Sequence, residues 1–243
     1  MERGPVAARA FVCLMMLVLL ARPLSPEIAP ELVIWNVGQG QWVTLRDTES
    51  CRHFDMGGEF APWRQIIVAC RELPNRVSFS HWDWDHVSFA GQARGFLPEI
   101  CVSVRPGGVA TEKKERGLSR YPPCPGKAAH WVSPNSRTAN ASSHVYLVDG
   151  ILIPGDSSRA EEKIWSRAIA EVANARVLVL GHHGSRTSTS KELLRRLPRL
   201  RLAIASARER RYGHPHPEVM RELRMKRVPV LKTEDWGTIR IAL

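Results

Sequence analysis

The segment Ser80-His81-Trp82-Asp83-Trp84-Asp85-His86 places four potential metal ligands, His81, Asp83, Asp85 and His86, within six positions, directly after a strand-like run and shortly before Gly91. In extended backbone residues i, i+2 and i+4 project to one side, so His81, Asp83 and Asp85 converge, and His86 follows where a helix can start. Imidazole with carboxylate suits zinc, manganese or iron, and the carboxylate excess tilts the choice toward harder ions such as manganese. The competing structural reading is a polar loop whose acids and histidines merely pair with Lys and Arg. Four ligands at this spacing favour the metal reading.

Three later apolar runs end in further candidates. Residues 151–154 lead into Gly155-Asp156, 177–180 into Gly181-His182-His183-Gly184-Ser185, and 203–205 toward Tyr212-Gly213-His214-Pro215-His216. Loops at strand ends are where scaffolds present reactive groups. Singly, a Gly-Asp is more often a turn and a His-Pro more often loop punctuation; together with residues 81–86 they predict one composite site.

Periodicity places these motifs on elements. Short apolar runs at 32–35, 42–45 and 53–54, broken by Gly, Asn and Asp, read as strands joined by tight turns. Helical spacing follows at 62–73, then a strand at 77–79. Later segments alternate: strands 145–147 and 151–153, helix 159–172, strand 177–180, helix 191–197, strand 202–205, helix 217–226. Strands first and strand–helix alternation after predict an α+β arrangement of sheets covered by helices. The stretch 105–137, dense in Pro, Gly and charge, reads as a surface insertion beside the site.

Composition narrows the environment and partners. With 44% apolar residues over 243 positions the chain can bury a full core, which excludes whole-chain disorder. Its 35 Lys and Arg against 24 Asp and Glu favour anionic partners. Residues 191–227 alone hold twelve Lys and Arg against four Glu, a basic stretch that suits a nucleic-acid backbone or a set of solvated helix faces. The twelve apolar or small residues 10–21 span only ~18 Å, short of a ~30 Å hydrocarbon core. That length suits an export signal or membrane anchor over residues 1–30, the alternative being a core helix. Cys51, Cys70, Cys101 and Cys124 form no C-x-x-C pair. In an oxidising compartment they form disulfides of unassigned pairing, and otherwise they are buried thiols.

The string His-x-Asp-x-Asp-His, followed by Gly-Asp and His-His-Gly-Ser, resembles the metallo-β-lactamase-fold hydrolases, and specifically the hydrolase domain of ComEC-type DNA-uptake (competence) proteins. Asn36-Val37-Gly38-Gln39-Gly40-Gln41 is similar to that family's Asp-Val-Gly-Gln-Gly-Asp, Phe54-Asp55-Met56-Gly57-Gly58 to its Asp-x-Gly-Gly, and Tyr212-Gly213-His214-Pro215-His216 to its Gly-His-Pro. The match covers residues 31–243 in the family's order. It implies an αββα sandwich with a two-metal site along the edge of the sheets, charged with two divalent ions, zinc or manganese. By resemblance His81 and Asp83 hold one ion, Asp85 and His86 the other, Asp156 bridges them, and His182 completes the set in preference to His183. His183, Ser185 and His214 are left to contact a phosphate or protonate its leaving oxygen. Asn36 and Gln41 depart from the family's two Asp, so any charge those positions contribute is missing. Trp82 and Trp84 stand where small residues or proline are common and either stack on bases or pack beside the site.

The resemblance implies a metal-dependent hydrolase acting on DNA, in particular single-stranded DNA, during uptake, exported or membrane-tethered, with or without a separate channel partner. The alternatives are a hydrolase of another ester or amide, since fold does not settle function, and a DNA-binding subunit without catalysis.

Overall fold

Apolar side chains alternate between two buried faces in nearly every strand, and this alternation sets the layers. The computed structural model describes residues 29–126, 130–132 and 138–243. All but the last two residues of the predicted leader, and part of the predicted insertion, lie outside these. Eleven strands form two sheets among the described residues. The first sheet, in the order β11-β1-β2-β3-β4-β5, contains β1 (Glu31–Ile34), β2 (Val43–Arg46), β3 (Cys51–Phe54), β4 (Asn75–Ser78), β5 (Ile100–Val104) and β11 (Ile239–Ala242). The second, in the order β10-β9-β8-β7-β6, contains β6 (Tyr146–Val148), β7 (Ile151–Ile153), β8 (Val177–Val179), β9 (Leu202–Ala205) and β10 (Val230–Lys232).

Leu32, Ile34, Val43, Leu45 and Phe54 of one sheet pack against Tyr146, Ile151, Ile153, Val179 and Ile204 of the other. The intervening residues point outward under helices. Val33, Trp35 and Val77 meet α1 (Trp63–Cys70) and the short α2 (Trp84–Val87) and α3 (Ala90–Ala93). Leu152, Leu178, Ala203 and Ala205 meet α5 (Arg159–Ala168), α6 (Lys191–Arg195) and α8 (Pro217–Met225). Strands buried on both faces read as continuous apolar runs, and two such sheets between helices make the expected αββα sandwich. The remaining helices are α4 (Glu112–Ser119), α7 (Glu209–Tyr212) and α9 (Thr233–Trp236). No helix among the described residues is long and apolar enough to cross a membrane.

Two expectations change in detail. The predicted helix 159–172 ends at Ala168, because Ile169 turns extended (φ −97°, ψ 95°) to pack into the core before a 3-10 turn, Ala170–Asn174. The insertion carries α4, whose Lys114 donates to the Trp82 carbonyl, so it braces the ligand segment.

The four cysteines pair as Cys51–Cys70 and Cys101–Cys124, with 19 and 23 residues of separation. The first ties β3 to α1 and the second ties β5 to the strap behind α4. Loops of this size stabilise by about 3 kcal/mol each through the unfolded chain, or roughly 6–12 °C in Tm. We expect Cys101→Ser/Cys124→Ser to lower Tm by that amount under non-reducing conditions. Equal Tm values for wild type and variant would refute it.

Candidate metal centre

Strands β3, β4, β7, β8 and β9 all deliver their C-terminal ends to one edge of the sandwich, and the ligand candidates sit on the loops that leave them. Asp55 follows β3, His81 follows β4, Asp156 follows β7, and His182 and His183 follow β8. Asp156 is the hub. Its Oδ2 lies 3.8 Å from His81 Nε2 and 3.5 Å from His182 Nε2, and its Oδ1 lies 3.0 Å from His86 Nε2 and 3.9 Å from His183 Nε2. Asp83 Oδ2 stands 3.3 Å from His81 Nε2, and Asp85 Oδ2 stands 3.1 Å from His183 Nε2. The two oxygens of one buried carboxylate thus face two groups, His81, Asp83 and His182 on one side, Asp85, His86 and His183 on the other.

Tautomers follow from the partners behind the rings. His86 Nδ1 lies 2.7 Å from Asp55 Oδ2, and His183 Nδ1 lies 2.9 Å from the Ser206 carbonyl. Both partners only accept, so each Nδ1 carries the proton and each Nε2 lone pair points inward. Ser80 Oγ donates to Asp55 and receives His81 Nδ1 at 3.0 Å, with the same effect. His81 Nε2, His86 Nε2 and Asp156 Oδ1 are buried without a hydrogen-bond partner. Although His86 Nε2 and Asp156 Oδ1 are only 3.0 Å apart, the pair does not meet hydrogen-bond geometry. Lone pairs crowded this closely need positive charge between them, and divalent cations fit that need.

The titration pattern has the same origin. Burial opposes ionisation of Asp156, but His86 and His183 outweigh it and hold its carboxyl well below the usual range. Asp85 is half-buried, and although burial opposes its ionisation, its bond to His183 and the neighbouring His86 bring it down to about 2. Against burial, Asp156 with Asp55 raises His86, and Asp156 with Asp85 raises His183. His214, beside His182 at 5.9 Å between ring centroids, is pushed down to about 4 by burial and by His183 and His182. At neutral pH it is uncharged, which suits an N–H contact to phosphate better than proton donation from an imidazolium.

Glycines let the supporting loops reach the ligands. A Cβ on Gly57 would lie 2.3 Å from Asp85 C and His86 N, and one on Gly40 (φ +149°) would lie 2.4 Å from Gly58 Cα. In that close packing Gln41 N donates to the Asp85 carbonyl at 2.8 Å and Met56 N to the His86 carbonyl at 2.8 Å. Gln41 Nε2 donates to Asp55 Oδ2 at 2.7 Å, so the departure from the family's Asp supplies a donor where a second acid would repel Asp55. Asn36 Oδ1 only closes its own turn on Gly38 N.

All the predicted ligand positions meet here, with His182 and His183 divided between the two sides of Asp156. Ser185 is buried, but its hydroxyl bonds Thr187 Oγ1 at 3.0 Å within its own loop. Trp82 is 3% exposed and packs in the core, whereas Trp84 is 47% exposed beside Asp83 and Asp85. Residue-level reading of the sequence gave no role to Asp55 and Ser80; Asp55 lies in the quoted Asp-x-Gly-Gly motif, the one signal that points to it. The basic stretch 191–227 divides: Arg208, just before α7, and Arg211, within it, pair with Glu59, while other arginines lie at the far ends of the strands.

Glu162 of α5 anchors the loop that follows the paired histidines, accepting Thr189 N at 2.5 Å and Ser190 N at 2.8 Å. Burial pushes its carboxyl up to about 7 from 4.5, against those donors. A raised folded value stabilises below the unfolded one, so this contribution is complete below about pH 4.5 and is lost as pH rises through about 7. The wild-type-minus-Glu162→Gln stability difference should fall by about 3 kcal/mol over that window. A flat difference in urea melts across the window would contradict it.

No family model matches the chain. The metallo-beta-lactamase fold protein YhfI from Bacillus subtilis superposes on 87% of this chain and 100% of its own, with a TM-score of 0.51 at 13% identity. The chain has the metallo-β-lactamase fold. Among curated proteins, Recombination protein 2 of Haemophilus influenzae is 29% identical over 202 residues, 76% of this chain and 24% of that protein. ComE operon protein 3 of Bacillus subtilis is 28% identical over 270 residues, 93% and 34% respectively, and Competence protein ComA of Neisseria gonorrhoeae is 27% identical over 244, 90% and 33%. This metallo-β-lactamase-fold chain thus spans about a quarter to a third of these relatives, and its likeness to competence proteins, read first from the motifs, extends along most of its length.

Proposed function

We propose that the chain is a metal-dependent phosphodiester hydrolase acting on single-stranded DNA in DNA uptake, outside the reducing cytoplasm. The observation that carries the metal chemistry is the Asp156 carboxylate, with its oxygens divided between two sets of inward-pointing His and Asp ligands. His81, Asp83, His182 and Asp156 Oδ2 would hold one divalent ion, and Asp85, His86, His183 and Asp156 Oδ1 the other. Such ions supply Lewis acidity and lower the pKa of water at neutral pH. The chain's own groups do the rest: Asp55, Ser80 and the Ser206 carbonyl fix the imidazoles, and His214 offers an uncharged N–H to a phosphate oxygen.

Support for DNA comes from the names of the competence and recombination relatives and from two exposed aromatic residues, Trp84 between the ligands Asp83 and Asp85 and Tyr212 beside Arg211. Aromatic faces take unpaired bases whatever their sequence. The two disulfides support an oxidising location.

The test is to quantify bound metal and assay labelled single strands beside a β-lactam, a thioester and a small phosphodiester. Cleavage of the lactam or thioester alone would overturn the substrate. Trp84→Ala should raise KM for the strand about 5- to 150-fold, from the ~1–3 kcal/mol a stacked base contributes, and leave KM for the small diester unchanged. An equal rise for both substrates would remove Trp84 from strand binding.

A further inference from the structure

Parallel pairing of β7 to β10 gives the second sheet two chemically different edges. The C-terminal edge holds the metal centre. The N-terminal edge collects arginine: Arg176 precedes β8, Arg199 and Arg201 precede β9, and Arg224 and Arg227 close α8 ahead of β10. They are contiguous, because Arg201 N and Leu202 N both donate to the Arg176 carbonyl, at 2.8 and 3.2 Å, and Ala203 N donates to the Pro229 carbonyl at 3.0 Å.

All five side chains are exposed, and among the described residues none of their guanidinium groups has an ion pair or hydrogen bond. Several arginines elsewhere are neutralised by carboxylates. Arg159 pairs with Glu218, Arg167 with Glu192, Arg208 and Arg211 with Glu59, and Arg52 with Asp149. Glu222, the acid nearest in sequence on α8, lies in the groove toward α6 among Lys191, Arg195 and Lys226. The five free arginines line two concave clefts. One, of about 410 Å³, has Arg176, Arg199 and Arg201 along its wall, and the other, of about 380 Å³, has Arg224 and Arg227.

We propose that this edge is a second, non-catalytic contact surface for the phosphate backbone of a nucleic-acid strand. Guanidinium forks match phosphate oxygens in pairs, more specifically than lysine does. Clefts admit a narrow ribbon that a flat bilayer surface would bridge over, and neither cleft is lined by the Trp, Tyr or Phe that anchors proteins at membrane interfaces. A strand held here is held away from the cations, so binding and cleavage are separable. The surface rests on the proposed function only for the identity of its anion.

The test uses the full metal-loaded chain and a labelled phosphorothioate oligonucleotide that resists hydrolysis, with anisotropy followed over a salt series. Arg176→Gln/Arg199→Gln/Arg201→Gln should raise Kd roughly tenfold and lower the slope of log Kd against log salt by about 2, at ~0.7 per lost phosphate contact. Unchanged Kd and slope would overturn the proposal. So would unchanged oligonucleotide binding with lost binding to phosphatidylglycerol vesicles, which assigns the surface to lipid. If the triple variant does not melt like wild type, Arg224→Gln/Arg227→Gln in the other cleft carries the same expectation at about two thirds of the slope change. Wild type that binds in this way but cleaves no strand would sink the proposed activity and leave this surface standing; cleavage with insensitive binding would do the reverse.

Discussion

Asp156→Ala reduces bound divalent metal to background and lowers kcat/KM on a phosphodiester by at least about 10³-fold, the equivalent of ~4 kcal/mol of charge stabilisation. The size of the effect follows from position. Asp156 faces His81 and His182 with one oxygen and His86 and His183 with the other, so one substitution removes an anionic ligand from both sides. Asp85→Ala removes a ligand from one side only and should retain part of the metal while losing nearly all turnover. The Asp156 backbone stays tied, because its N–H bonds Ser143 Oγ at 3.0 Å, and the fold should persist by circular dichroism. Metal analysis of the two variants after identical loading separates the roles. Equal metal content in Asp156→Ala and wild type would end the bridging assignment.

Gly57→Ala disables the centre without touching a ligand. Its new Cβ would sit 2.3 Å from both Asp85 C and His86 N, so the backbone carrying two ligands must retreat. Overpacking of this kind costs about 1–3 kcal/mol or more, and a ~1 Å displacement of reacting groups costs on the order of 10² in rate. Gly91→Ala is the matched control, because a Cβ there meets nothing within 4 Å and Gly91 lies within α3. The control should be neutral or slightly stabilising, given alanine's helix preference of up to ~1 kcal/mol. Calorimetric metal affinity and Tm for the pair decide the point. If Gly57→Ala matches Gly91→Ala in both, the close approach is not what seats Asp85 and His86.

Much of this was legible in the chain because it is written in local patterns. His81, Asp83, Asp85 and His86 share one extended-to-helical segment, and the runs before Asp156 and His182 are apolar on both faces, as strands between two covered layers must be. Harder to read were features set by contacts distant in sequence. The division of His182 and His183 between two sides of Asp156 depends on Ser206 reaching back to His183 Nδ1 across 23 positions. The support of His86 by Asp55 spans 31 positions. Helix 159–172 broke early because Ile169 was claimed by the core.

Periodicity and ligand spacing, properties of neighbouring residues, determined sheets covered by helices and the candidates for the metal centre, and the motif resemblance implied the sandwich. Tertiary structure alone decided which cysteines pair, which of the tryptophans flanking Asp83 meets solvent, and which arginines find carboxylates. Those outcomes turn on distances between residues tens to more than a hundred positions apart, and a burial or pairing energy exists only once the fold has brought the partners together.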